Sequence, residues 1–537
     1  MFPCLLGLLA LHPLLGGPGS LGQNVASEQH SYSPAVAQRS TLPSAPCPQA
    51  SDTQIAANVA PGYNMPRSYG WMSDGWMNDS WFDDPQGRGA DETEVPSEDV
   101  APHAATFAPI ITFFPHPDST RYWISGQENT IYQMHPNFHS PYQGTNSFTA
   151  PFQYKASEVA TLMLAYQLRP ALRYETDLIY DEENAGGRGL SQALGLGGFT
   201  NLDVVRNPNL SALPYTARAE WHQTIGFTNE TVSQARGPLA LATQVPVRRL
   251  DIRVGKMTLP DILDINSVLS DSHLQFMDWS IDNTGAWDYA ADTRGYTYAA
   301  ALEYQDRIWA ARYAIALMPT VANGITLSWD LQNTRGQNAE FELRKGLIPG
   351  HDGRIRLLAY GNNAHMGLYR TAVNNYLAGL TPTPEITSVE HYGALKYGFG
   401  VNVEQILTRD FALGGRFGWN EGQHESYAYT EVDQTFVLGG RYLGTAWHRP
   451  ADNIGVAFNT NAIKKDHQNY LKLGGLGFLL GDGRLNYARE DIVEAYYNVH
   501  TWKGLYYALG NTFIEHPGYN QDRGPVDVQT VRMHLDF

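Results

Sequence analysis

The chain is poor in cysteine, in charge and in long apolar runs, and each shortage excludes something. Two cysteines, Cys4 and Cys47, serve 537 residues. Cys4 falls inside an apolar leader, so Cys47 is the only cysteine left after export and no intramolecular disulfide is possible. Charged residues are only 17% of the sequence, below the roughly 25% usual for soluble proteins. Basic residues are outnumbered, 37 Lys and Arg against 54 Asp and Glu, for a formal charge of -17. That balance argues against a nucleic-acid binder, which needs clustered cations for phosphate contact. Beyond the leader no apolar run approaches the ~20 residues of a membrane helix. The mean hydropathy of -0.34 likewise excludes a helical membrane bundle. It leaves room for a membrane barrel, in which lipid-facing residues alternate with polar lumen residues.

What is abundant suits many short strands and tight turns: 31 Tyr, 20 Phe, 12 Trp and 51 Gly. The leader, Phe2 to Gly17, is followed by the small-x-small sequence Ser20-Leu21-Gly22. It predicts a signal peptide over residues 1–22, although a basic n-region is missing. From 23 to 115 Pro, Ser, Ala, Asn and Asp dominate without periodicity. Such composition buries too little apolar surface to offset ordering entropy, so a disordered acidic tail is expected. Trp71, Trp76 and Trp81 interrupt it at a spacing that is neither helical nor strand-like.

From about Thr120 onward the pattern is period two. Leu250, Ile252 and Val254 alternate with Arg249, Asp251 and Arg253. Trp309, Tyr313 and Ile315 alternate with Ala310, Arg312 and Ala314. Phe417 and Trp419 flank Gly418 beside Arg416, and Phe436, Leu438 and Tyr442 are out of phase with Thr435 and Arg441. Alternation sends the two sets to opposite faces of a sheet. A soluble sandwich would show mixed Lys, Glu, Thr and Ser on its wet face. Here small residues make room and Arg projects into it, as on the inner wall of a wide barrel. The expected fold is all-β: a transmembrane antiparallel barrel over 116–537 with about 16 strands, in a range of roughly 14 to 18, and loops folded into the lumen. At the C-terminus Val531, Met533, Leu535 and Phe537 share one face. A terminal aromatic in that phase resembles the closing strand recognised by the barrel-assembly machinery of Gram-negative outer membranes.

Longer blocks carry a closer resemblance. They are YWISGQENTIYQMHPNFHSPYQGTNS from Tyr122, GRGLSQALGLGGFTNLDVVRNP from Gly187, DYAADTRGYT from Asp288, WAARYAIALMPTVANG from Trp309 and HPGYNQDRGPVDVQTVRMHLDF from His516. Together they resemble the carbohydrate-selective porins of the OprB type. The resemblance implies a 16-stranded outer-membrane barrel through which sugars diffuse, with outer-membrane lipid and a small polar solute as its partners. The tail is longer than a bare porin needs.

A channel that favours sugars over salt requires aromatic rings for C–H faces and fixed charges for hydroxyls, since charge-assisted hydrogen bonds are the stronger kind. Polar-face candidates are Arg218, Glu220, Asp251, Arg253, Arg312, Arg416 and Arg441. The long segment from Pro260, which lacks strand alternation, supplies Phe276, Trp279, Trp287 and Tyr289. It is expected to fold inward and narrow the pore. The Gly-rich stretch Gly186 to Pro208 is expected to form a short helix in a second lumen loop. His135 and His139 stand four apart around Pro136, which spoils a helical metal pair. Asp181-Glu182-Glu183-Asn184 reads as a solvated acidic loop rather than a calcium turn. No G-x-S-x-G elbow occurs, so neither enzyme activity, cofactor nor metal is expected. Two readings from other classes are an outer-membrane barrel hydrolase and a secreted all-β carbohydrate binder.

Overall fold

The computed structural model describes residues 111–206, 210 and 213–537. The expected signal peptide, nearly all of the tail and its tryptophan patch lie outside the described residues. The strands are β1 (Tyr122–His135), β2 (Gln153–Arg169), β3 (Tyr174–Gly187), β4 (Tyr215–Gly226), β5 (Thr231–Ser233), β6 (Gln244–Pro246), β7 (Arg249–Met257), β8 (Thr297–Gln305) and β9 (Trp309–Ala316). They continue with β10 (Arg335–Leu343), β11 (Gly353–Met366), β12 (His391–Ile406), β13 (Phe411–Asn420), β14 (Gln434–Leu443), β15 (Asn453–Ala462), β16 (Glu490–Trp502), β17 (Leu505–Glu515) and β18 (Val526–Asp536). All but β5 and β6 close into one antiparallel barrel of 16 strands; β5 and β6 pair separately.

Closure is what makes a strand protein tolerable in hydrocarbon, because an open edge would leave backbone groups without partners. The seam joins the first strand to the last, from Gln127↔Asp536 to Met134↔Gln529. Phe537 extends it: its N–H donates to the Gly126 carbonyl (2.9 Å) and the Gly126 N–H donates back (2.8 Å). Its ring lies over Gly126, where a Cβ would fall 2.5 Å from ring carbon. Among the described residues no helix is long and apolar enough to cross a membrane.

The alternation is realised with its faces inverted relative to a soluble protein. Tyr313, Phe417, Leu438 and Val456 point outward and are exposed, whereas Arg312, Arg416, Arg441 and Asn459 point inward and are buried. Short turns such as 306–308, 407–410 and 503–504 lie at one end. Longer loops, including 136–152, 188–214, 258–296 and 463–489, lie at the other. Short turns belong to the periplasmic rim and long loops to the extracellular one.

Candidate functional site

Inward positions on six neighbouring strands form a belt of Arg and carboxylate groups near the short-turn rim. Asp251 of β7 accepts from Arg249 (2.8 Å) and from the Thr224 hydroxyl (2.5 Å). On β9, Arg312 donates to Glu303 of β8 (2.7 Å), to Glu340 (2.7 Å) and to Glu342 (3.1 Å) of β10. Arg356 of β11 continues the belt to Glu342 (2.7 Å) and to Glu404 of β12. The cross-strand register explains these meetings: Glu303↔Arg312, Glu340↔Arg312 and Glu342↔Arg356 are directly opposed pairs. Such burial of ions is tolerable only because each carries an opposite charge and further hydrogen bonds.

A second group on β3, β4 and β7 shares the same wall. Arg218 is held by Asp181 (3.0 Å) and by Asp261 of the 258–296 loop (2.7 Å). Arg253 donates to Glu220 (3.0 Å) and to the Leu239 carbonyl (2.8 Å). Asp181 and Glu183 are inward, buried residues of β3, which corrects the reading of the acidic run as a solvated loop. The reason is the strand's alternation: Asp181 is claimed by Arg218, and Glu183 accepts from Tyr215 and from Tyr296 (3.0 Å).

The 258–296 loop crosses the lumen above this belt. It leaves β7 and meets β10, where the Asp264 N–H donates to Glu340 (2.7 Å). On β13, Arg416 grips it through Asp264 (3.2 Å), the Ile281 carbonyl (2.6 Å) and Ser270 (2.5 Å). The Met277 and Asp278 N–H groups donate to Glu494 of β16 at 2.8 and 3.0 Å. Arg532 of β18 donates to the Ser272 carbonyl (2.6 Å), and His273 meets Gln127 of β1 (3.2 Å). With the Gln275 amide turned to present its oxygen, Arg441 Nη1 donates to it at 2.8 Å. A short helix, α1 (Trp279–Asp282), capped by Asp278, sits in the middle of the loop.

Two further loops lock onto it. In 188–214 the Gly197 and Gly198 N–H groups donate to Glu490 at 2.9 and 2.8 Å, and the Asn201 carbonyl accepts from Trp279 Nε1 (2.8 Å). Among its described residues the expected short helix is a single 3-10 turn, Leu190–Gln192. In 421–433 the N–H groups of Tyr427, Ala428 and Tyr429 converge on Asp288 at 2.7 to 3.0 Å, while Lys396 of β12 balances that carboxylate at 3.3 Å.

The four aromatic candidates all lie in the lumen loop, but their ring faces are not open to a solute, and that expectation is corrected. Phe276, Trp279, Trp287 and Tyr289 are no more than 1% exposed. Phe276 sits edge-on to Tyr496 (4.9 Å), Trp279 stacks on Tyr429 (5.8 Å), and Tyr289 contacts Trp287 (5.1 Å) and Tyr429 (4.6 Å). Burying rings of this size anchors the loop through apolar area as well as stacking. Sequence reasoning missed Glu303, Glu340, Glu342, Arg356, Glu404 and Asp264. The i,i+2 acids in AEFEL were a usable signal, whereas Asp264 had none. His135 ends β1 with Nδ1 against the Pro136 carbonyl (2.8 Å), and among the described residues it joins no cluster of metal-ligating groups. Asp491, Glu515 and His516 come within metal-binding reach of one another at the β16–β17 rim, outside the lumen.

An apolar outer wall, a charged inner wall and loops folded across the lumen define an outer-membrane diffusion channel, a porin. The sequence model of the carbohydrate-selective porin, OprB family matches residues 163–537, and the chain belongs to that family. Among solved structures, the high-pH structure of Pseudomonas putida OprB is similar at 15% identity, with a TM-score of 0.58 over 78% of this chain and 94% of that one. The outer membrane channel DcaP of Acinetobacter baumannii is 8% identical, with a TM-score of 0.44 over 78% and 97% of the two chains. No curated protein matches the sequence.

Proposed function

We propose that this porin passes carbohydrates or similar small hydroxylated solutes down their concentration gradient, without a reaction and without energy coupling. The belt of Arg and carboxylate partners from Asp251 to Glu404 carries the reading. The belt's groups are buried and already paired, so they act on a passing solute through their field rather than by exchanging partners with it. The two signs at close range set up a transverse field that orients dipolar solutes. The carbohydrate-selective name of the family supports the same choice of solute.

Planar-bilayer recording with the purified full chain tests it. Mono- and disaccharides at millimolar concentration should reduce the salt current reversibly, and liposomes should swell in them. Sugars that neither block nor permeate would remove the selectivity and leave the porin.

The terminal Phe537 is proposed as the signal read by the barrel-assembly machinery. Removing it should cut the amount of folded, heat-modifiable protein in the outer membrane several-fold while the total synthesised stays level. Unchanged folded yield would leave Phe537 with its seam contact over Gly126 only.

A further inference from the structure

The segment 227–248, between β4 and β7, is the longest connection at the short-turn rim, and it folds back into the mouth of the barrel. Its Leu239 and Leu241 are buried in one apolar cluster with Trp123, Met163, Ala165 and Ile179 of the inner wall of β1 to β3. Arg236 fastens it from below by donating to the carbonyls of Pro117 (3.0 Å), Thr120 (2.8 Å) and Tyr122 (2.8 Å). Between the segment and the wall lies a cavity with room for about one water-sized occupant. The wall side presents Glu175 and Asp177 of β3, His222 and Thr224 of β4 and Asp251 of β7; the segment presents Gln234. Gln234 is half-buried, so solvent reaches the cavity.

One carboxylate there is out of balance. Asp177 is only 1% exposed. Among the described residues its Oδ1 has no hydrogen-bond partner, and its Oδ2 has only the Leu241 N–H at 3.4 Å, with His222 Nδ1 farther off at 3.9 Å. Its inward neighbours are provided for: Asp181 is held by Arg218, Glu220 by Arg253 and Asp251 by Arg249. Glu175, two residues before Asp177 and on the same face of β3, accepts from the Gln167 amide (2.6 Å) but forms no ion pair among the described residues. The nearby cations Arg253 and Arg236 are directed at Glu220 and at backbone carbonyls instead. Two buried carboxylates on one face without a cation are costly, and a positive ion between them removes that cost.

We propose that this cavity is a calcium site. Asp177 Oδ1 and the Glu175 carboxylate supply the charge. The Gln234 amide oxygen supplies a neutral ligand, and so does Thr224, whose hydroxyl proton goes to Asp251 (2.5 Å) and leaves an oxygen lone pair for the ion. Oxygen donors with two carboxylates suit a hard divalent cation. Calcium fits better than magnesium, which sheds its waters reluctantly, whereas this space admits little besides the ion itself. The carboxylates belong to the wall and Gln234 to the 227–248 segment, so the bound ion ties the segment to the wall. The site lies at the opposite end of the barrel from Asp491, Glu515 and His516. It is independent of which solute passes.

The full chain, purified in detergent and freed of metal with EDTA, is titrated with calcium chloride while thermal unfolding is followed. Saturating calcium should raise the unfolding temperature by several degrees, since the ion binds the folded chain alone. Asp177→Asn should abolish that rise, and without calcium it should unfold no earlier than the unmodified chain, because it deletes an unpaired charge. Asp491→Asn should keep the rise. Trypsin should cut after the buried Arg236 more slowly in calcium, because that bond is reached only when the segment leaves the wall. No rise in the unmodified chain, a rise that Asp177→Asn retains, or cutting that ignores calcium would each overturn the proposal. An equal or larger response to magnesium or zinc at the same concentration would overturn the choice of ion. If Asp177→Asn does not fold, Glu175→Gln is measured in its place, with loss of the rise expected and its retention counting against the site.

Discussion

Replacing residues 259–295 with a short Asn-Gly turn should raise the single-channel conductance several-fold while the barrel still assembles. The register makes the excision feasible, because β7 and β8 remain paired up to Met257↔Thr297, so their ends are already adjacent and a hairpin turn can bridge them. A 16-strand barrel without an inserted loop encloses a water-filled channel. The wall groups that now hold the loop, Arg416, Glu494 and Arg532, would then meet water rather than a dry interior, so their lost contacts carry no desolvation penalty. The barrel's own backbone pairing is untouched. Conductance unchanged from the full-length protein would show that the narrowest point lies elsewhere, at the Arg312 belt or beneath it.

Arg312→Ala should be the most damaging single change in the wall. Three carboxylates, Glu303, Glu340 and Glu342, converge on this guanidinium. Removing one partner from a buried ion pair typically costs about 3–5 kcal/mol, because the remaining charge has no compensation. Arg356 still reaches Glu342, but it lies too far along the belt to replace the contact with Glu303. Thermal unfolding in detergent should therefore shift clearly downward, and reversal-potential measurements should move toward cation selectivity. Arg312→Lys should recover only part of either property, since an ammonium cannot repeat the planar donor fork. Adding Glu340→Gln to Arg312→Ala should restore stability by removing one of the unpaired charges. Equal stability of the single and double variants would mean that the three acids are neutralised some other way.

How much of this was legible before the structure follows from what is local. Trp309 to Leu317 announces its two faces by itself, because the lipid and the lumen each impose a chemistry on every second residue. The strand count follows from the same signal. Partner identity across strands is not local. Arg312 could be placed on the inner wall, but its three acids sit on two other strands, and only the register brings them to it. Asp181 to Asn184 was misread because four polar residues in a row resemble a loop. On a wet inner wall with a polar outer rim, a strand can carry the same run. Phe276, Trp279, Trp287 and Tyr289 fall in a segment without strand alternation, which marks it as a loop, yet their use depends on what lies opposite. Tyr429 and Tyr496 come from distant segments, and they take the ring faces that a sugar would otherwise meet.

The seam between β1 and β18 has a consequence for timing. β1 pairs with β2 next to it in sequence, but its other neighbour is β18, so Gln127 must wait for Asp536. Contacts of such separation are the slowest to form, since the closure entropy is incurred before any pairing energy returns. Until then β1 offers one bare edge, and so does the newest strand. Those edges are templates for aggregation. A protein of this topology therefore cannot mature behind the ribosome piece by piece. The longer that open intermediate lasts, the more exposed its edges are to aggregation.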